Sequence, residues 1–158
     1  MTETKSKVRV AAFARAAALA AIVVIVDQVT KALVRSGIPI GDEHKFFIGI
    51  NLVHVRNTGV AFSLFSGGGT LVLVFTFVAL AVLVGYLARR PERPWLWVPT
   101  GLLIGGAIGN LIDRVVHGAV TDFVKFPLWP AFNCADISIT FGVLALLWVL
   151  EGPQRRER

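Results

Sequence analysis

Four apolar runs set the terms on which this chain can fold. Val10 to Val26 is rich in Ala, Val and Ile and is broken only by Arg15. Thr70 to Ala88 carries no charge, Trp95 to Val116 is uncharged as far as Asp113, and Ala135 to Leu150 has one acid, Asp136, near its start. A helix needs roughly 20 apolar residues to cross the hydrocarbon core of a bilayer, and each run is near that length. Only 16% of the residues are charged, against about 25% in a soluble domain, so lipid is the natural solvent for much of the surface. The expected fold is an all-α membrane protein, a single domain over residues 1–158. It has four transmembrane helices, at about residues 10–34, 70–88, 95–116 and 135–151.

Basic residues orient these spans. Lys5, Lys7, Arg9 and Arg15 precede or open the first run, Arg89, Arg90 and Arg93 separate the second from the third, and Arg155, Arg156 and Arg158 follow the fourth. With four spans the three clusters fall on one side, which the positive-inside rule makes cytoplasmic, together with both termini. The net charge of +6 is thereby a topology signal and a match for anionic lipid headgroups, not a nucleic-acid surface. Lys5, Lys7 and Arg9 also resemble the basic start of a secretory signal peptide, but no small-residue cleavage site follows, so the first run is expected to stay as a span. The segments at about residues 36–69 and 117–134 become outer loops. In the first, Ile48, Ile50 and Leu52 alternate with Gly49 and Asn51, which predicts a short extracytoplasmic strand or two. Ser66-Gly67-Gly68-Gly69 reads as a flexible joint, and Met1 to about Lys7 and Gly152 to Arg158 read as disordered ends.

This topology sets the depth of the acids. Asp27 ends the outward-going first helix, Asp113 lies near the outer end of the third, and Asp136 opens the inward-going fourth. All three meet near the outer boundary of the bilayer, where ionisable groups are costly and mark function. Asn110 and Asp113 are three residues apart, hence on one helix face, and Asn133 and Asp136 repeat the spacing. Gly101, Gly105 and Gly109 form a small-residue ridge that leads to Asp113, and Arg114 follows at the interface, able to pair with an acid or a phosphate. Two carboxyl groups in a partly desolvated site can share one proton, so that one activates water while the other polarises a carbonyl.

These residues resemble the lipoprotein signal peptidases, the type II signal peptidases of bacteria. Four blocks carry the likeness: Asp27-Gln28-Val29-Thr30-Lys31; Asn57-Thr58-Gly59-Val60-Ala61-Phe62; Gly105 through Arg114; and Val120 to Phe123 with Phe132-Asn133-Cys134-Ala135-Asp136. Val60 departs mildly from a position where alanine is frequent. The resemblance implies an aspartic endopeptidase of the bacterial inner membrane. Such an enzyme removes signal peptides from prolipoproteins by cutting just before a diacylglyceryl-modified cysteine, and it is the target of globomycin. It implies Asp113 and Asp136 as the catalytic pair, with Asn57, Asn110, Arg114 and Asn133 lining the site. Asp27, Lys31, Gly105 and Gly109 fall to structural support. No cofactor and no metal is implied, and one chain holds the whole site, so a monomer is expected.

Other readings attach to the same residues. Asp136 can equally serve as a helix cap. Cys134 as a nucleophile needs a base, and the spacing of His44, His54 and His117 supplies neither that nor a metal site. Gly105-Gly106 with Gly109 follows no strand, so it is helix packing and not a phosphate loop. The outer loop with Phe46, Phe47 and Phe62 reads as a surface platform or as a cradle and lid. A small proton-coupled transporter is the main alternative function, but it places its acid near the midplane. A helix-binding assembly factor has no use for paired Asn-x-x-Asp.

Overall fold

The computed structural model describes residues 2–58 and 68–151. Among them, α1 (Thr2–Gly37) leads into β1 (Glu43–Phe47) and β2 (Ile50–Asn57). Then come α2 (Gly68–Arg89), α3 (Trp97–His117), β3 (Val120–Lys125) and α4 (Cys134–Glu151). Each apolar run has become a helix, and the strands form one small antiparallel sheet in the order β1-β2-β3.

The apolar side chains face outward. Among the described residues, α1 and α4 are long and apolar enough to cross a membrane, with mean hydropathies of 2.2 and 1.8, yet only 22% and 17% of their most apolar stretches are buried. Ile22, Ile25 and Leu33 of α1, Phe77 and Val82 of α2, and Phe141, Leu144 and Trp148 of α4 all stand exposed. A water-soluble bundle would turn these residues inward; an apolar exterior of this extent calls for a hydrocarbon solvent. Helix α3 is the central one, packed between α1 and α4.

Glycine makes that packing close. A Cβ placed on Gly101 would lie 2.8 Å from the Ala16 carbonyl oxygen, and one on Gly105 would lie 2.7 Å from Val23 Cβ. On the neighbouring face, a Cβ on Gly106 would lie 2.6 Å from the Ala135 carbonyl oxygen of α4. The expected ridge is therefore real and faces α1. Helix α1 answers with a buried stripe, Ala12, Ala16 and Ala20, that continues into Asp27, Lys31 and Val34. At the far end Ala12, Ala16, Leu87, Leu96 and Val149 form an apolar cluster. There Arg93 closes α4 by donating to the Val149 and Leu150 carbonyl oxygens, the positive charge meeting the negative end of the helix dipole.

Gly118, at φ 72, ends α3 with its N–H on the Arg114 carbonyl oxygen, a left-handed step that glycine takes without a Cβ penalty. It turns the chain straight into β3, so Thr121 pairs with Arg56 and Asp122 with Val55. The sheet thereby rests on the ends of α1 and α3.

Several expectations need correction. Thr2 to Lys7 is helical, not disordered, with Lys7 paired to Glu3 one turn back at 2.8 Å. Ile48 and Gly49 form the β1–β2 turn, Gly49 having φ 78, so the alternating pattern begins at Ile50. Trp95, at φ 64, lies outside α3, which starts at Trp97. Gly68 and Gly69 belong to α2 rather than to a joint. The loop expected at 117–134 contains β3, whose Val-Thr-Asp-Phe-Val sequence is too short to stand out without its partner strand. Met1, Gly59 to Gly67 and Gly152 to Arg158, including Phe62 and Ser66, lie outside the described residues.

Gly105→Ala is expected to destabilise the detergent-solubilised protein by about 1–3 kcal/mol, because the added methyl meets backbone as well as a side chain. Gly37→Ala, with open space around it, is expected to leave the unfolding midpoint nearly unchanged.

Candidate active site

Lys31 is the centre of the polar cluster. It projects from the inner stripe of α1, fully buried, and its ammonium lies 2.8 Å from Asp27 Oδ2 and 3.4 Å from Asp113 Oδ2. Its remaining contact is the Asn110 Oδ1 at 2.9 Å. Asp27 is also completely buried. Its Oδ1 accepts the Ala135 backbone N–H at 2.9 Å, satisfying a free donor at the start of α4. Gly109 makes this reach available, since a Cβ there would lie 2.6 Å from the Asp27 carboxylate. Gln28 completes the tie by donating to Asp27 Oδ2, the Gly109 carbonyl oxygen and Asp113 Oδ1.

Asp113 is occupied on both oxygens. Oδ1 faces Gln28 and, at 3.5 Å, Arg35; Oδ2 faces Lys31 and accepts the Thr121 backbone N–H at 2.8 Å. Arg35 also donates to the Thr121 hydroxyl at 3.1 Å. The last turn of α1 and the C-terminal end of α3 thus grip β3 one residue before Asp122. In charge terms, Asp27 and Asp113 are balanced by Lys31 and Arg35.

Asp122 and Asp136 have no such balance. Among the described residues neither forms an ion pair, and both are held by amides. Asn133 Nδ2 donates to Asp122 Oδ1 at 2.7 Å and Asn57 Nδ2 to Asp122 Oδ2 at 2.9 Å. Asn110 Nδ2 donates to Asp136 Oδ1 at 2.9 Å. Asn133 and Asp136 also cap α4 reciprocally: the Asp136 N–H donates to Asn133 Oδ1 at 3.0 Å and the Asn133 N–H to Asp136 Oδ2 at 3.2 Å, the geometry of a capping box. One asparagine therefore holds both acids. Burial, aided by the negative charge of nearby Asp136, pushes the Asp122 carboxyl up to about 6, against the lowering effect of the Asn57 and Asn133 amides. The charge of Lys31 also acts to lower it, but burial outweighs that pull, so the Asp122 carboxyl keeps its proton to higher pH than a free one.

The predicted site residues therefore gather at one end of the bundle, but not as expected. Asn110, Asn133 and Asn57 all reach the acids. Asp113 reaches Asp136 only through Lys31 and Asn110. Arg114 is exposed and donates to the Asn110 carbonyl oxygen at 3.2 Å. Asp122, Gln28, Arg35 and Thr121 were passed over. The signal for Asp122 was present, since it is the single acid in the Val120 to Phe123 block.

A lipid-facing helical frame around a desolvated carboxyl pair defines a membrane-embedded enzyme of the acid-pair class. Comparison with known proteins supplies the family. A family model described as Signal peptidase (SPase) II, Peptidase_A8, matches residues 19–151. A lipoprotein signal peptidase of Moorella thermoacetica is 39% identical over 88% of this chain and 96% of its own length. One from Paraburkholderia phymatum is 40% identical over 94% of each. A solved structure of a bacterial membrane enzyme, obtained by the in meso method at 1.9 Å resolution, superposes with a TM-score of 0.79 at 34% identity, covering 88% of this chain and 94% of that one. The chain belongs to the signal peptidase II family, a family of aspartic peptidases.

Lys31→Met, which strands two buried carboxylates, is expected to cost about 3–5 kcal/mol and to show as loss of monodisperse protein on size exclusion. Thr121→Val removes the Arg35 acceptor while keeping the side-chain volume. It is expected to lower kcat about tenfold with little change in KM, and Arg35→Gln to do the same without adding to it in the double variant.

Proposed function

We propose that the chain is a membrane aspartic endopeptidase that cleaves diacylglyceryl-modified prolipoproteins just before the lipidated cysteine, with Asp122 and Asp136 as the reacting pair. The observation that carries this reading is the hold of Asn133 on both acids, neither of which forms an ion pair among the described residues. Asp113, which the sequence pattern pairs with Asp136, is already neutralised by Lys31 and Arg35, and a carboxylate so engaged is poorly suited to take a proton from water. A protonated Asp122 polarises the scissile carbonyl while ionised Asp136 removes a proton from the attacking water. Asp136 then passes that proton to the leaving amine as the diol intermediate collapses and Asp122 recovers its own.

Four spans, with both termini cytoplasmic and the acids near the extracytoplasmic face, complete the reading. It is supported by the three basic clusters and by the gathering of Asp27, Asp113, Asp122 and Asp136 at one end. The inner membrane is then the location. A signal peptide is itself an apolar helix, so it can lie beside α1 and α4 while its lipid chains stay in the bilayer. On this reading Arg114, Asn57 and the sheet meet the substrate, and globomycin is expected to compete for the same site. The site is assembled within one chain, which fits a monomer. A transporter gains no support from the acids at one boundary.

The test is cleavage of a diacylglyceryl-prolipoprotein by purified protein. Asp122→Asn and Asp136→Asn are expected to lose about 10³-fold or more in kcat, whereas folded Asp113→Asn keeps measurable turnover. Wild-type turnover by Asp122→Asn with none by Asp113→Asn would return the pair to Asp113 and Asp136. The pH profile gives a second check. With its carboxyl raised to about 6, Asp122 is protonated below that value, so kcat/KM is expected to fall as pH rises through about 6. The stability linkage has the same sign: the folded state holds a proton that the unfolded chain has released above the ordinary 3.8, so folding weakens as pH climbs through that window.

A further inference from the structure

At the opposite end of the helices a cleft of about 260 Å³ opens between α1 and the α2–α3 connection. Arg15 and Ala12 form one wall, and Glu92, Arg93, Trp95 and Trp97 form the other. Arg15 lies twelve residues before Asp27, roughly 18 Å along α1 at the helical rise, so the cleft is remote from the acids and the peptidase reading uses none of it.

Three features of the cleft want explaining. Arg15 is a charge set inside an apolar run, and among the described residues it makes no hydrogen bond and no ion pair. An arginine at a membrane helix without an anion of its own is costly. Arg93 is anchored to the Val149 and Leu150 carbonyl oxygens and the Tyr86 hydroxyl. Those four bonds leave one of its five N–H groups unspent. Trp95 is held at φ 64, a left-handed conformation that is rare for a bulky residue, and the residue stays 57% exposed with its ring centre 6.4 Å from that of Trp97. Backbone strain of this kind persists at ligand clamps, and indole rings favour the headgroup level of a bilayer.

We propose that this cleft binds one anionic phospholipid, its phosphate on Arg15 and the free Arg93 N–H, its glycerol region against the two indoles, and an acyl chain along the exposed Val8 and Ala11 side of α1. Charge favours the assignment. Arg15 and Arg93 line the cleft, Arg89 and Arg90 precede it in the connection, and Glu92 is the single acid on its wall. A basic pocket between spans is the ordinary form of an anionic-lipid site.

Native mass spectrometry of the delipidated full chain, titrated with phosphatidylglycerol, tests this. Wild type is expected to retain one lipid, and Arg15→Gln to weaken retention about tenfold, the scale of one charge-assisted contact. Arg9→Gln, on the same helix but outside the cleft, is expected to have no effect. Trp95→Gly separates binding from folding. Glycine accepts the positive φ, so the unfolding midpoint is expected to hold or rise while lipid retention falls. Equal retention of a diacylglycerol with the same chains, displacement by inorganic phosphate alone, or equal losses in Arg9→Gln and Arg15→Gln would each overturn the proposal. None of these readouts depends on cleavage, so they stand apart from the fate of the peptidase reading.

Discussion

A lysine with no exposed surface, shared between two aspartates from different helices, is the interaction on which the rest of the structure depends. Lys31 sits one turn beyond Asp27, which packs on Gly109 of α3, and it joins α1 to α3 through Asp113 while Asp27 joins α1 to the start of α4. In a hydrocarbon solvent, apolar packing does little to choose one arrangement of helices over another. Directional bonds between buried charges and amides do choose, because a misplaced helix would leave a charge bare. Among the described residues no buried side-chain polar atom lacks a partner, and the network is complete only in this arrangement.

That network sorts aspartates of the same chemical type into separate jobs. Asp27 and Asp113 each face a cation and serve as anchors. Asp122 and Asp136 face amides and form no ion pair among the described residues, and burial raises the Asp122 carboxyl. The sorting is done by which helix brings a cation and which brings an asparagine. Asn110 and Asn133 stand at the boundary between the two regimes: Asn110 touches both Lys31 and Asp136, and Asn133 touches both Asp122 and Asp136.

Much of this was legible in the sequence, and the failures have physical causes. The four helices followed from the apolar runs, and the close packing at Gly101, Gly105 and Gly109 from their spacing. The gathering of Asn110, Asp113, Asn133 and Asp136 followed from depth along alternating spans. Depth, however, does not give direction. Asp113 and Asp136 share a level, yet the rotation of α3 about its axis turns Asp113 toward Lys31, and nothing in one sequence fixes that angle. Asp122 was missed because it sits on a six-residue strand with no periodic signature of its own, paired to a strand more than sixty residues earlier. Arg35 and Thr121 were missed for the same reason, since their meeting exists only once the sheet is docked on α1.

The reciprocal bonds between Asn133 and Asp136 carry a consequence for inhibition. Asp136 closes the first turn of α4 with one carboxyl oxygen while the other accepts from Asn110, so on the proposed mechanism one carboxyl group serves both folding and chemistry. A compound that draws its affinity from Asp136 and Asn133 therefore leans on atoms the helix itself requires. A substitution that loosened the compound would also open the cap and unseat Asp122, closing the simplest route to resistance at this position.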